Sequence, residues 1–182
     1  MSDTPLPALI GARVHAARTA LGLSLGALAR AAGVGKGSLS EIEHGTRNPT
    51  LGTLYALAAA LDVPLSWLLA EHVGAEVSSP ALTSRLLDAD SDDEATVEVY
   101  LLTLPAGGDH RSEPHGPGVV EHLLVTRGAI EAGPVGAETV VRAGAATSWT
   151  SDTRHRYRAL DDAPARAVLT IRWPAPTTRR EA

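Results

Sequence analysis

The 182-residue chain contains no cysteine. A disulfide framework, a thiolate metal site and a cysteine nucleophile are thereby excluded, and the composition suits a reducing, cytoplasmic setting. Phenylalanine is absent too, and aromatic residues make up 3% of the chain, so Ala, Leu and Val must fill any core. No apolar run approaches the ~20 residues that a membrane helix needs. The opening MSDTPLPALIGARVH lacks the basic start and apolar stretch of a secretory leader. The length suits one large domain or two small ones.

Basic charge is scarce as well. Sixteen Lys and Arg face 21 Asp and Glu, a net charge of −5, which taken whole disfavours a polyanionic partner. The charge is unevenly placed. Residues 1–70 carry five basic side chains (Arg13, Arg18, Arg30, Lys36, Arg47) against four acids, residues 71–94 carry seven acids against Arg85, and residues 95–182 balance at ten each. The acidity sits in a joint between two differently patterned parts, and the first part is weakly positive. Modest phosphate affinity per subunit and a need for dimerisation follow.

The first part is organised around Leu23 to Gly45, LSLGALARAAGVGKGSLSEIEHG. Ser24 is a suitable N-cap, and Leu25, Leu28, Ala29 and Ala32 recur at helical spacing. Gly33 ends that helix, because glycine turns left-handed without steric cost. A second short helix runs from Lys36 to His44, with Leu39 and Ile42 inward and Lys36, Gly37, Ser38, Ser40 and Glu41 outward. Pro7 to Leu21 precedes this pair as a helix striped by Ile10, Val14, Ala17 and Leu21. Thr50 caps a fourth helix striped by Leu51, Leu54, Leu57, Ala58 and Leu61, and Pro64 to Leu69 supplies a fifth. Five helices with short turns make a compact all-α domain.

Residues Leu21 to Leu69, and above all SLSEIEHGTRNPTLGTL, resemble the phage-repressor (Cro/C1, xenobiotic-response-element) helix-turn-helix family. The resemblance implies a lambda-repressor-like DNA-binding domain over residues 1–70. It places Lys36, Gly37, Ser38, Ser40 and Glu41 against base edges, and His44, Arg47 and Asn48 near phosphates. It also makes Arg18 and Glu43 a structural ion pair beneath the turn. Gly26 stands where the family often has a phosphate-binding Gln, and Gly37 where a longer polar side chain is common.

Glu71 to Glu94 reads as an acidic linker, with Ala81 to Leu87 a candidate first strand. From Thr96 the period changes to two. Val97, Val99 and Leu101 alternate with Glu98, Tyr100 and Leu102, and further strands fall at 119–126, 138–142, 146–150, 155–159 and 165–173, separated by Gly- and Pro-containing turns. Many short strands with regular turns predict an antiparallel sandwich or barrel. Alternation puts Glu121 on a face with Val119, Leu123 and Val125, and His155 on a face with Tyr157. Arg154, Arg156 and Arg158 share the opposite, exposed face, and His110 and His122 read as surface histidines. If the apolar faces point inward, a carboxylate and an imidazole both enter the barrel. That carboxylate then needs a hydrogen-bond partner, a cation or water.

The order Gly107, Glu113-Pro-His115, Glu121, Gly128, followed by Gly136, Arg142-Ala-Gly144 and His155, resembles the two cupin motifs. An all-β cupin barrel (double-stranded β-helix, jelly roll) over residues 95–182 is implied, acting as sensor and dimerisation domain. Its metal ligands would fall on Glu113, His115, Glu121 and His155. A nitrogen–oxygen set of this kind suits Zn, Fe, Mn or Ni; the residues alone also admit Glu121 and His155 bonding one another or a small organic ligand. Trp149 and Tyr157 are candidates to line an effector pocket.

Together these readings predict a homodimeric transcription regulator, not an enzyme. It would read a pseudo-palindromic operator in double-stranded DNA under control of a small-molecule effector. A metal-dependent cupin oxygenase, isomerase or lyase carrying a DNA-binding head is the alternative of a different class. A third is an interaction module with a filled barrel and no effector.

Overall fold

The computed structural model describes residues 5–69 and 73–174. Residues 70–72, where the expected linker begins, the ends 1–4 and 175–182, and the side chain of Leu51 lie outside the described residues. Five helices come first: α1 (Leu6–Ala20), α2 (Leu25–Ala31), α3 (Lys36–Glu43), α4 (Leu51–Leu61) and α5 (Leu65–Leu68). Their boundaries follow local chemistry. The Ser24 hydroxyl accepts the Ala27 N–H to start α2, and Thr50 accepts the Thr53 N–H to start α4. Gly45 takes the left-handed turn after α3, with φ +69°.

α3 spans eight residues, too few to persist alone, so packing must hold it. Leu39 and Ile42 are its buried side chains, joined in the core by Ile10, Val14, Leu28, Leu54 and Leu57. Glycine is required at the α1–α3 crossing. A Cβ on Gly11 would lie 2.2 Å from the Ile42 carbonyl oxygen, and one on Gly45 would lie 2.8 Å from Ala8 Cα. The expected ion pair lies beneath the turn. Arg18 Nε and Nη2 donate to the two Glu43 carboxylate oxygens at 2.6 and 2.8 Å, and Arg18 Nη1 donates to the Leu23 carbonyl at 2.9 Å.

Ten strands follow: β1 (Glu76–Ser78), β2 (Thr83–Ser91), β3 (Ala95–Leu104), β4 (Asp109–Ser112), β5 (Val120–Arg127), β6 (Ala129–Pro134), β7 (Thr139–Arg142), β8 (Ala146–Thr150), β9 (His155–Ala159) and β10 (Ala165–Pro174). They form a six-stranded sheet ordered β1-β2-β3-β10-β5-β8 and a four-stranded sheet ordered β4-β9-β6-β7. Every pairing is antiparallel. Their buried residues, among them Leu102, Leu104, Leu123, Ile130, Leu169 and Ile171, belong to one hydrophobic cluster with the core of the helical part. Among the described residues, no helix is long and apolar enough to cross a membrane.

The stretch 71–94 differs from its expected role as a linker. Glu76–Ser78 and Thr83–Ser91 are strands of the large sheet, so the barrel begins well before residue 95. The candidate strand at Ala81 to Leu87 is neither first nor so short: β1 precedes it, and β2 continues to Ser91. The acids mislead because Asp88 and Asp90 stand on the exposed side of β2, where strand pairing tolerates charge.

Burial raises the Glu43 carboxyl, but the Arg18 and His15 hydrogen bonds outweigh it and hold the group below the usual carboxylate range. Its contribution to stability is therefore present above the unfolded-state value of about 4.3 and lost as pH falls through the lower folded value. Glu43→Ala leaves the Arg18 guanidinium without its partner and is expected to cost about 3 kcal/mol in urea unfolding at pH 7. A loss within about 0.5 kcal/mol would mean that the pair behaves as an exposed one.

Candidate DNA-reading helix and buried barrel site

α3 presents its polar side outward. Lys36, Gly37 and Glu41 are exposed, and Ser38 and Ser40 are half-buried at the edge of the helix. Glu41 accepts a hydrogen bond from Arg47 Nη1 at 2.9 Å, with both side chains more than half exposed, a pair that water and salt readily separate. His44 Nδ1 meets the Ser40 carbonyl at 2.7 Å, and His44, Arg47 and Asn48 all lie on the exposed side. All eight residues expected at a nucleic-acid surface thus fall on α3 or the turn after it.

Inside the barrel, β5 carries Glu121 on its buried side beside Leu123 and Val125, while β9 carries His155 and Tyr157. His115 comes from the loop after β4, held by its backbone N–H donating to the Ser151 carbonyl at 2.8 Å. His115, Glu121 and His155 are all buried, and their ligand atoms lie within 4.8 Å of one another. His115 Nε2 and His155 Nε2 stand 3.0 and 3.1 Å from the same Glu121 oxygen, Oε1. Neither nitrogen is angled to hydrogen-bond within the described residues. The other ring nitrogen of His155, Nδ1, meets the Thr153 carbonyl at 3.1 Å, which directs the Nε2 lone pair inward in the neutral ring. Two converging, unbonded imidazole nitrogens beside a carboxylate suit a divalent cation, so the residues present fit a metal.

Glu121 is fully buried, and the donors around it supply what that burial demands. The Ser151 hydroxyl donates to Oε1 and the Tyr157 hydroxyl to Oε2. Burial pushes the Glu121 carboxyl up, but the two imidazoles more than reverse this and hold it well below the usual range. The His155 imidazolium is lowered by burial and raised more strongly by Glu121, for a net rise. The Tyr157 phenol is driven well above its ordinary value, by burial first and the Glu121 charge second, so it stays a donor.

Some expected residues fall elsewhere. Glu113 is more than half exposed and pairs with Arg154 Nε at 2.9 Å. It follows Ser112, which ends β4 facing inward, so it turns outward and stands apart from the buried triad. His110, expected on the surface, is buried on β4 opposite Tyr157, with ring centroids 6.4 Å apart, while His122 is exposed as expected. Trp149 lies 6.1 Å from His155 and 5.8 Å from Tyr157 by ring centroids. Trp149 Nε1 and His110 Nε2 have no hydrogen-bond partner among the described residues. Arg156 and Arg158 are half-buried in ion pairs with Asp109 and Glu131, which leaves them less open to an anion than a bare strand face would be.

Sequence reasoning missed Glu98. On β3 the inward set is Glu98, Tyr100, Leu102 and Leu104, and the Glu98 carboxylate accepts the Ser66 N–H at 2.5 Å and Trp173 Nε1 at 2.7 Å. Burial nonetheless raises its carboxyl above the ordinary value. The alternation was visible; the partners, from α5 and β10, were not.

A helix-turn-helix joined to an antiparallel β-domain that buries a His–Glu–His cluster is the build of a two-part helix-turn-helix regulator. Residues 14–68 match the helix-turn-helix family HTH_3. Over 141 residues the chain is 30% identical to the HTH-type transcriptional regulator SutR of Escherichia coli (strain K12), covering 75% of this chain and 79% of that protein. The crystal structure of an HTH_3 family transcriptional regulator from Vibrio cholerae covers 93% of this chain and 97% of its own, with 27% identity and a TM-score of 0.81. The chain belongs to the family of HTH-type transcriptional regulators that includes SutR.

The raised His155 value beside the Glu121 carboxylate has a consequence for stability. A raised histidine value stabilises the fold below the unfolded value of about 6.5, and this is lost as pH rises through the folded value. The EDTA-treated chain is expected to melt at a higher temperature at pH 6 than at pH 9, and His155→Gln to abolish the difference. An unchanged difference in the variant would remove His155 as its source.

Proposed function

We propose that this regulator reads a pseudo-palindromic operator as a homodimer and that its barrel is a sensor. His115, Glu121 and His155 hold a divalent metal (Zn, Fe, Mn or Ni), beside which a small-molecule effector binds. The observation that carries the sensor reading is the convergence of two unbonded imidazole nitrogens on one buried carboxylate oxygen. Bound there, a metal would supply a Lewis-acid anchor for an oxygen of the effector. Trp149 and Tyr157 line the same space, and the unpartnered Trp149 Nε1 and His110 Nε2 are available to polar groups on that molecule. That the named relatives are transcription regulators supports regulation over turnover.

Base reading is assigned to Lys36, Gly37, Ser38, Ser40 and Glu41, and phosphate contact to His44, Arg47 and Asn48. The outer face of the large sheet supports the dimer. Leu101, Val168 and Leu124 lie directly opposite one another on β3, β10 and β5, and Leu124 is 44% exposed. An apolar row across three strands is a natural seat for a second copy, and two reading heads offset the weak charge of one.

The test is fluorescence anisotropy on a duplex selected from a randomised pool by the wild-type chain. Lys36→Ala and Ser40→Ala are each expected to weaken binding about tenfold, the scale of one lost contact, with the melting temperature nearly unchanged. Unchanged affinity in both variants, or loss of folding in place of affinity, would overturn the assignment of this face.

A further inference from the structure

The helical domain does not merely adjoin the barrel. Tyr55, on α4, is buried with its ring stacked on His115, centroids 4.7 Å apart and planes 26° apart. Trp173 packs tilted against the same imidazole at 5.6 Å, and His155 meets it edge-on at 4.9 Å. Trp173 also donates to Glu98, the carboxylate that accepts the α5 amide of Ser66. A ring of the barrel's buried triad is thus in contact with a side chain of the DNA-binding domain, and the hydrogen bond from the Ser66 N–H to Glu98 tethers the two beside it.

The space around this contact is shared as well. A cleft of about 820 Å³ lies between α2, α4 and the barrel rim, lined in part by Arg30, Thr53, Ala56, Pro114 and Arg154. Pro114 and Arg154 directly precede His115 and His155, so the cleft runs beside the loop and strand that carry both histidines. α4 also buries Leu54, Leu57 and Ala58 in the helical core, where it packs against α1 and α2. Both of those helices pack directly on α3. From His115 to the reading helix there are therefore three packed contacts: the Tyr55 ring, α4 on α1 and α2, and these two on α3.

We infer that the helical domain is the lid of the barrel site and that the Tyr55–His115 stack couples occupancy of the site to DNA binding. An imidazole is a rigid plane, so the direction in which His115 Nε2 points fixes the surface offered to Tyr55. A ligand that holds this nitrogen selects among docking positions of α4, and DNA that prefers one docking position changes the affinity of the site in return. This rests on the reading of His115, Glu121 and His155 as a ligand site.

The experiment measures Co(II) uptake by the full chain from its visible absorption, and affinity for the selected duplex with and without Co(II). Wild type and Tyr55→Phe, which keeps the ring, are expected to take up one Co(II) per chain and to change duplex affinity at least fivefold on loading, within the usual range of allosteric coupling. Tyr55→Leu keeps apolar volume and is expected to fold and bind Co(II), with the loaded and unloaded affinities within twofold. Circular dichroism checks that this variant is folded, and Tyr55→Met replaces it if it is not. A shift in the ringless variant equal to wild type, or Co(II) uptake by wild type with no shift, would overturn the coupling and leave the sensor site standing. No Co(II) uptake by wild type would overturn the metal reading and this inference with it.

Discussion

A carboxylate buried in an apolar barrel must be compensated, and Glu121 organises its surroundings accordingly. It is wholly removed from solvent, a position that unassisted desolvation would make untenable for a charge. Its two oxygens collect Ser151, Tyr157 and two imidazoles. These come from the end of β8, from β9 and from the loop after β4, so satisfying one side chain fixes how the two sheets face each other. The same group sets the protonation of its neighbours, lifting His155 and holding Tyr157 as a donor.

The helical part obeys a different constraint. α3 is short and polar on one side, so its position depends on what lies behind it. Glycine at position 11 lets α1 cross within contact of the Ile42 carbonyl, and Arg18 binds Glu43 from beneath. Every one of these devices spends side chains on the inner surface and leaves Lys36, Gly37 and Glu41 outward. Keeping the supports on the inner surface allows the outer residues to change without loss of the fold.

Much of this was legible in the chain because it is local. The caps at Ser24 and Thr50, the left-handed glycines at 33 and 45, and the spacing of Leu39 and Ile42 each need only a few neighbours to be understood. The inward direction of Glu121 and His155 likewise followed from alternation alone. What failed was non-local. Glu98 finds partners 32 residues before it and 75 after it, and Tyr55 meets His115 across the domain boundary. Glu113 was placed by motif position, yet the end of β4 at Ser112 turns it toward Arg154. The acidic stretch hid the continuation of β2 beyond Leu87, because its charges stand on the exposed side and a register shift between Leu86 and Asp88 breaks the alternation.

Whether His115, Glu121 and His155 hold a metal, as proposed, is read from the metal content of the chain as isolated. Protein purified without chelator or an affinity metal would be analysed by plasma mass spectrometry beside His115→Ala and His155→Ala. Close to one equivalent of a single divalent metal is expected in wild type and less than about a tenth of that in each variant, since either loss removes one of three ligands. Metal-free wild type that also fails to load from solution, or metal retained equally in both variants, would rule the triad out as a metal site.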